Sequence, residues 1–397
     1  MREFIDRPQQ LRNRTIGIID EVLFFVFVVF FYILFQRDLI AVMQETWSHG
    51  QTTNNPLITS LIAIVLLLVV QRIVRAISGL RGRWEALTWL PSFMLLSLST
   101  DVSLPAFSYH LLPWVIIAVA VIGVLLMAVF FSNVTRSDKK TPLSSLLIPN
   151  LAIFALSAVL CMEFTNHDAA LHQELAAFRY ARQGDVTAVT NVGRRSLETT
   201  PMLTALRNVA LAHEGCLGDE LFTYPQPYGS DGLCVNRYSR PDTHFGSQTF
   251  YEFLGDEPYG GEASADFCER LYRQDDAPVH RDLYAASLLL DGRLREFVAA
   301  FPPSRYVELN DEGGAQTDFS SLPIHYREAW VLARSLCSRE PALENYHDAE
   351  MQTQFDDFRS RYESAHTDTK IILNELYLTY GKTYWHYFYQ TFQNKLR

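Results

Sequence analysis

The chain has 397 residues, 48% of them hydrophobic, and a formal net charge of −10. These averages hide two unlike parts: residues 1–164 carry 12 basic and 10 acidic side chains, whereas residues 165–397 carry 22 and 34. So acidic a second part is a poor ligand for nucleic acid or anionic head groups, and the crowding of apolar residues into the first part excludes a single soluble globule.

A bilayer core about 30 Å thick takes roughly 20 apolar residues as helix. Residues 16–35 reach that length, with Asp20 and Glu21 one turn inside. This stretch is too long for a cleavable signal and no small-residue cleavage site follows Phe35, so it reads as an uncleaved anchor. Residues 57–77 form a second span, with Arg72 and Arg75 able to snorkel to the interface. Residues 86–107 are interrupted by Pro91, Ser97, Ser99, Thr100 and Asp101, and count as a span because the charge pattern requires one. Residues 111–131 carry no charge, and residues 143–162 hold Pro149 and Asn150 in their first turns.

Cations alternate between the connections. Arg2, Arg7, Arg12 and Arg14 precede the first span, Arg72, Arg75, Arg81 and Arg83 close the second, and Arg136, Lys139 and Lys140 follow the fourth; the opposite connections hold only Arg37. Positive residues accumulate on the cytoplasmic side. The expectation is a cytoplasmic N-terminus, about five spans in residues 1–164, and residues 165–397 outside, in a bacterial inner membrane. Intramembrane acids mark ion or proton paths when they face a bundle interior. The plainer expectation leaves Asp20 and Glu21 among the head groups and packs Asp101 against neighbours.

Beyond Phe164 apolar residues recur at helical spacing. Leu171, Leu175 and Phe178 line one helix; Val186, Val189 and Leu197 belong to a second; Pro201 opens a third. A unit recurs in which a helix ends at Gly, an apolar residue follows two positions on, and a second helix begins: Gly184 with Val186, Gly215 with Leu217, Gly292 with Leu294. Tyr180, Gly184, Leu197 and Pro201 resemble the spacing of a tetratricopeptide repeat, whose helix pairs each bury a face on the next. Residues 223–263, rich in Pro, Gly and Tyr, form a long loop holding one short helix around Phe250–Gly255. A loop this long in a compact domain is functional or disordered, and its aromatics favour an ordered contact surface.

A wider resemblance rests on Gly215 with Leu221 and Phe222, on Tyr228 through Leu233, on Phe250 through Gly255, on Gly292, on Arg327, Glu328 and Ala329, and on Gly381 with Tyr384 and Trp385. With these the chain resembles an uncharacterised family of polytopic bacterial envelope proteins of unknown function. The resemblance implies a membrane anchor with a tetratricopeptide-like periplasmic region, and assigns no catalytic residue.

Cys216, Cys234, Cys268 and Cys337 lie in the second part, and three pairings are possible. The favoured one joins Cys216 to Cys234, stapling the long loop, and Cys268 to Cys337. No metal spacing, phosphate loop or nucleophile elbow stands out, so no cofactor is expected. Residues 369–393 read as one closing helix with Tyr380, Tyr384, Phe388 and Phe392 as a stripe, either buried as a cap or facing a partner.

The fold expectation is all-α: a polytopic membrane domain, residues 1–164, and a tetratricopeptide-like domain, residues 165–397. The leading functional expectation is a non-catalytic scaffold or assembly component for envelope protein partners, with Tyr224, Tyr228, Tyr238, Tyr259, Trp330 and Trp385 as contacts. The alternative is an enzyme or carrier acting on lipid-linked envelope glycan, with Asp101, Glu163 and His167 as its site.

Overall fold

The computed structural model describes residues 3–48, 52, 54–101, 111–134, 142–236, 247–307, 319, 321–337, 340–364 and 369–392. Among them every regular element is helical. The chain divides into two compact units, Met1–Leu175 and Ala176–Arg397.

In the first unit α1 (Glu3–Phe30) runs on through a π-helical turn at Phe31–Phe35, followed by α2 (Arg37–Trp47), α3 (Pro56–Ser78), a 3₁₀ segment (Gly82–Trp89), α4 (Leu90–Leu98), α5 (Leu111–Val134) and α6 (Leu143–Glu163). Among the described residues, four helices are long and apolar enough to cross a membrane: Leu11–Phe35, Pro56–Ser78, Pro113–Phe130 and Leu143–Glu163. α1, α3 and α6 meet the 3₁₀ segment and α4 in an aromatic core, where Phe24 lies 4.4 Å from Trp89 and 5.2 Å from Phe93, and Phe93 lies 5.1 Å from Phe154.

The stretch expected as a fifth continuous span is broken, and residues 102–107 of it lie outside the described residues. Pro91 explains the change of helix type: it lacks a donor, so it sits in the first turn of a new helix. The broken segment nonetheless follows α6 from end to end. Asn150 Oδ1 accepts from Ala86 N at 2.7 Å and its Nδ2 donates to the Gly82 carbonyl, Ser97 Oγ donates to the Cys161 carbonyl at 2.8 Å, and the Thr100 and Thr165 hydroxyls are bonded. On its other side it meets α3, through Gln71 to Thr88 at 3.0 Å and Ser92 to the Leu67 carbonyl at 2.9 Å.

The second unit begins inside α7 (Ala169–Gln183) and continues through α8 (Val186–Asn191), α9 (Pro201–Glu214), α10 (Leu217–Glu220), α11 (Ser247–Leu254), α12 (Ser264–Gln274), α13 (Pro278–Leu290), α14 (Leu294–Ala300), α15 (Ile324–Leu336), α16 (Ala349–Ser364), α17 (Thr369–Tyr380) and α18 (Tyr384–Thr391). Three turns share one geometry. At Gly184, Gly215 and Gly292, all at positive φ, the next residue's N–H reaches back to the carbonyl of Tyr180, Leu211 or Leu288. That is the Schellman end, which satisfies carbonyls a helix terminus leaves open and which glycine enters without a Cβ penalty. The helices that follow are short, at six, four and seven residues.

Pro201 opens α9 as expected from its place after Thr200, whose hydroxyl accepts from Leu203 N at 3.1 Å. Leu197 does not join α8: that helix ends at Asn191 and Leu197 is 76% exposed. Nor is the C-terminal stretch one helix. It breaks after Tyr380, Gly381 N bonds the Tyr377 carbonyl at 2.8 Å, and a Cβ at 381 would stand 2.4 Å from that same carbonyl. Thr383 then caps α18 by accepting from His386 N.

Candidate functional site

The second unit carries a groove of about 1120 Å³. Its floor comes from the turn after α10 (Phe222, Tyr224, Gln226), and beside it stand Tyr387 and Phe392 on and beyond α18. Phe222 and Tyr387 rings lie 4.9 Å apart, and Tyr387 and Phe392 rings 6.2 Å apart. Tyr387 is held by its hydroxyl, which donates to the Leu290 carbonyl at 2.9 Å. Exposed Arg194, Arg195, Leu197 and Lys382 edge the opening, and among the described residues of the lining Asp291 is the one acidic side chain. Arg194 has a distant partner in Glu220 at 3.7 Å, an exposed pair worth little.

The segment carrying the floor is fastened by amides. Asn208 and Gln226 exchange two hydrogen bonds at 3.0 and 3.1 Å, Asn208 Nδ2 also donates to the Gly232 carbonyl, and Gln226 Nε2 to the Leu221 carbonyl. Farther on, Arg270 clamps Glu262 at 2.9 Å and Asp256 at 2.8 Å. The part of residues 223–263 that is described is therefore folded into the unit, with Leu233, Cys234 and Val235 in its core. Residues 237–246 lie outside the described residues, and Tyr238 with them.

Of the other expected contact residues, only Tyr259 is open, at 64% exposure, its ring 4.1 Å from the Arg270 guanidinium. Tyr228 is half-buried and donates to the Thr199 carbonyl at 2.9 Å. Tyr224, Trp330 and Trp385 are buried, which corrects their expected role as surface anchors. Each has spent its polar atom inside: Tyr224 on the Thr190 carbonyl, Trp330 Nε1 on the Phe301 carbonyl at 2.9 Å, Trp385 Nε1 on the Glu328 carbonyl at 2.9 Å. A buried aromatic with a satisfied polar atom is a packing residue. Tyr224 does reach the groove floor.

The expected disulfides are not formed, since all five cysteines are free. Ser264, one turn before Cys268 on α12, donates to the Cys234 carbonyl at 2.8 Å, and the Cys268 thiol is near enough to act electrostatically on Cys234. Both thiols are buried, and burial pushes Cys268 up to about 12 and raises Cys234 as well. Thiols held protonated in this way are inert.

In the first unit a cavity of about 430 Å³ is lined by Asp101, Trp114, Glu163, Thr165, His167 and Asp168. Trp114 Nε1 donates to Asp101 Oδ2 at 2.6 Å, and His167 Nδ1 lies 3.1 Å from the Thr165 carbonyl. The three residues named for a glycan site thus share one cavity. The other membrane acids separate. Glu21 is partly exposed and pairs with Arg72 at 2.5 Å, whereas Asp20 is fully enclosed.

The groove's cations, Phe222 and Tyr387 were not picked out as contacts from sequence, whereas Tyr224 and Phe392 were. The signal present was the adjacent pair Arg194-Arg195 in the acidic part of the chain.

Together these features define a helical protein in which a set of membrane-length apolar helices precedes a grooved helical unit. Residues 22–256 and 262–391 match a family of unknown function (DUF6057), and the chain belongs to that family. No curated protein and no solved structure matches the chain.

Proposed function

We propose that this protein is a membrane-anchored scaffold whose C-terminal unit docks an extended, acidic segment of an envelope protein partner in the groove. The observation that carries the reading is a contrast of charge: an opening edged by Arg194, Arg195 and Lys382 in a part of the chain with 22 basic and 34 acidic side chains. Cations gathered against that background attract a complementary anionic partner and set its approach, while aromatic walls supply desolvated contact area. The short second helices make the unit a reduced relative of a tetratricopeptide array at most, and the reading does not depend on that likeness.

The anchor in this reading crosses five times. The 3₁₀ segment and α4 together rise about 29 Å by their helix types, close to a bilayer core. Their bonds follow α6 from Asn150 to Thr165, so Gly82–Asp101 supplies the crossing that the alternating cations demand. With the cationic N-terminus in the cytoplasm of a bacterial cell, the grooved unit then lies in the periplasm.

A photo-cross-linking residue at Leu197 tests the docking. Wild-type cells should yield discrete cross-linked species, and Arg194→Glu with Arg195→Glu and Lys382→Glu should reduce them at least tenfold with no change in thermal unfolding. Cross-linking that survives all three charge reversals refutes the docking reading.

The cavity holding Asp101, Glu163 and His167 supports a second reading, an enzyme or carrier acting on lipid-linked envelope glycan. His167→Ala should abolish function with cross-linking intact under that reading, and leave function intact under docking.

A further inference from the structure

Asp20 is the most isolated charge-bearing group in the first unit. Its side chain is fully enclosed, and neither carboxylate oxygen has a hydrogen-bond partner. Its charged neighbours are Glu85, Arg75 and Glu21. Glu85, on the 3₁₀ segment, is itself 1% exposed and takes Arg75 of α3 at 2.7 Å; Glu21, next to Asp20 on α1, takes Arg72. Arg81, exposed, bears on Glu85 from outside, and α6, also packed on α1, contributes no charged side chain before Glu163. Both guanidiniums of α3 are therefore paired with other acids, and Asp20 has no ion pair of its own.

An unpaired carboxylate enclosed among apolar helices costs several kcal/mol or more, and a group in that position neutralises. The space admits little that could do so. Gly17, one turn before Asp20, lies so close that a Cβ there would stand 2.9 Å from Glu85 Oε1 and 3.5 Å from an Arg75 nitrogen. A metal cation needs several oxygen ligands; a proton needs only one of Asp20's own. We infer that Asp20 is a proton-binding site, in which one proton occupies the enclosed carboxyl and balances the Asp20–Glu85–Arg75 cluster. Six residues, about 9 Å of helix rise, separate it from Arg14.

Infrared spectroscopy of the full chain in lipid nanodiscs tests this directly. At about pH 6 the wild type should show a protonated carboxylic-acid band that Asp20→Asn removes, and Asp20→Asn, which copies the neutral acid, should melt within about 3 °C of wild type. In Glu85→Gln the freed Arg75 becomes a counter-ion for Asp20, so the band should weaken at least twofold at the same pH. A wild-type spectrum with no acid band overturns the inference, as does a band that Asp20→Asn retains or that Glu85→Gln leaves unchanged. The Glu85 variant decides the matter even if Asp20→Asn does not fold.

Discussion

Two enclosed acids, one in each unit, are treated in opposite ways. Glu328 on α15 is 2% exposed and fully served: Tyr384 N donates to its Oε2 at 2.7 Å and His325 Nδ1 lies 2.8 Å from the same oxygen. Asp20 on α1 is equally enclosed and has no donor. The C-terminal unit thus uses a buried carboxylate as a fastener between α15 and α18, while the membrane unit holds one in reserve. A satisfied network specifies one arrangement, whereas an unsatisfied acid makes stability depend on what occupies it.

The sharpest way to break the comparison is at Trp385, which joins the Glu328 carbonyl and is 0% exposed. Trp385→Ala should cost about 3–5 kcal/mol by cavity formation, read as a large fall in the thermal midpoint of the C-terminal unit. A shift under about 2 °C would mean that α18 does not close the core.

Arg327 sharpens it. Its Nε donates to Asp348 at 2.7 Å, and Asp348 also accepts from Met351 N and the Tyr346 hydroxyl. Burial works to raise Asp348, but the bonds from Arg327 and Met351 N and the Arg327 charge outweigh it and hold the carboxyl below the usual carboxylate range. A depressed carboxyl lends stability that is whole above its unfolded value and is lost as pH falls through the lower folded value. Arg327→Ala should cost about 3 kcal/mol and move acid unfolding to higher pH, followed by circular dichroism. An unchanged acid midpoint would show that the pair does not govern acid stability.

The smallest expected effect is at the α18 cap. Thr383→Ala should cost about 1 kcal/mol, and Thr383→Ser should restore most of it in chemical denaturation. Equal losses in both variants would place the Thr383 contribution in its methyl group.

What the sequence revealed tracks how local the physics is. The three glycine turns, the Pro201 helix start and the short helix at Phe250 were legible because each depends on a few neighbouring residues. The break at Gly381 was not, since an unbroken aromatic stripe has the same period on either side of it. Tyr224, Trp330 and Trp385 looked like surface anchors because composition alone does not say which carbonyl an aromatic reaches. Distance along the chain hid the rest: the groove joins residues near 195, 225 and 385, and Asp20 meets Glu85 across 65 positions that no local pattern spans. Asp101, Glu163 and His167 could be named together from sequence because each falls near the end of an apolar stretch, and they line one cavity.

Asn150 serves as a two-pin plug. Its amide offers one donor and one acceptor to the Gly82–Trp89 backbone, a pairing that a strand neighbour would ordinarily supply. Neither aspartate nor leucine of similar size can fill both sockets, so the irregular winding of that segment hangs on a single side chain of α6, and the two travel as one piece.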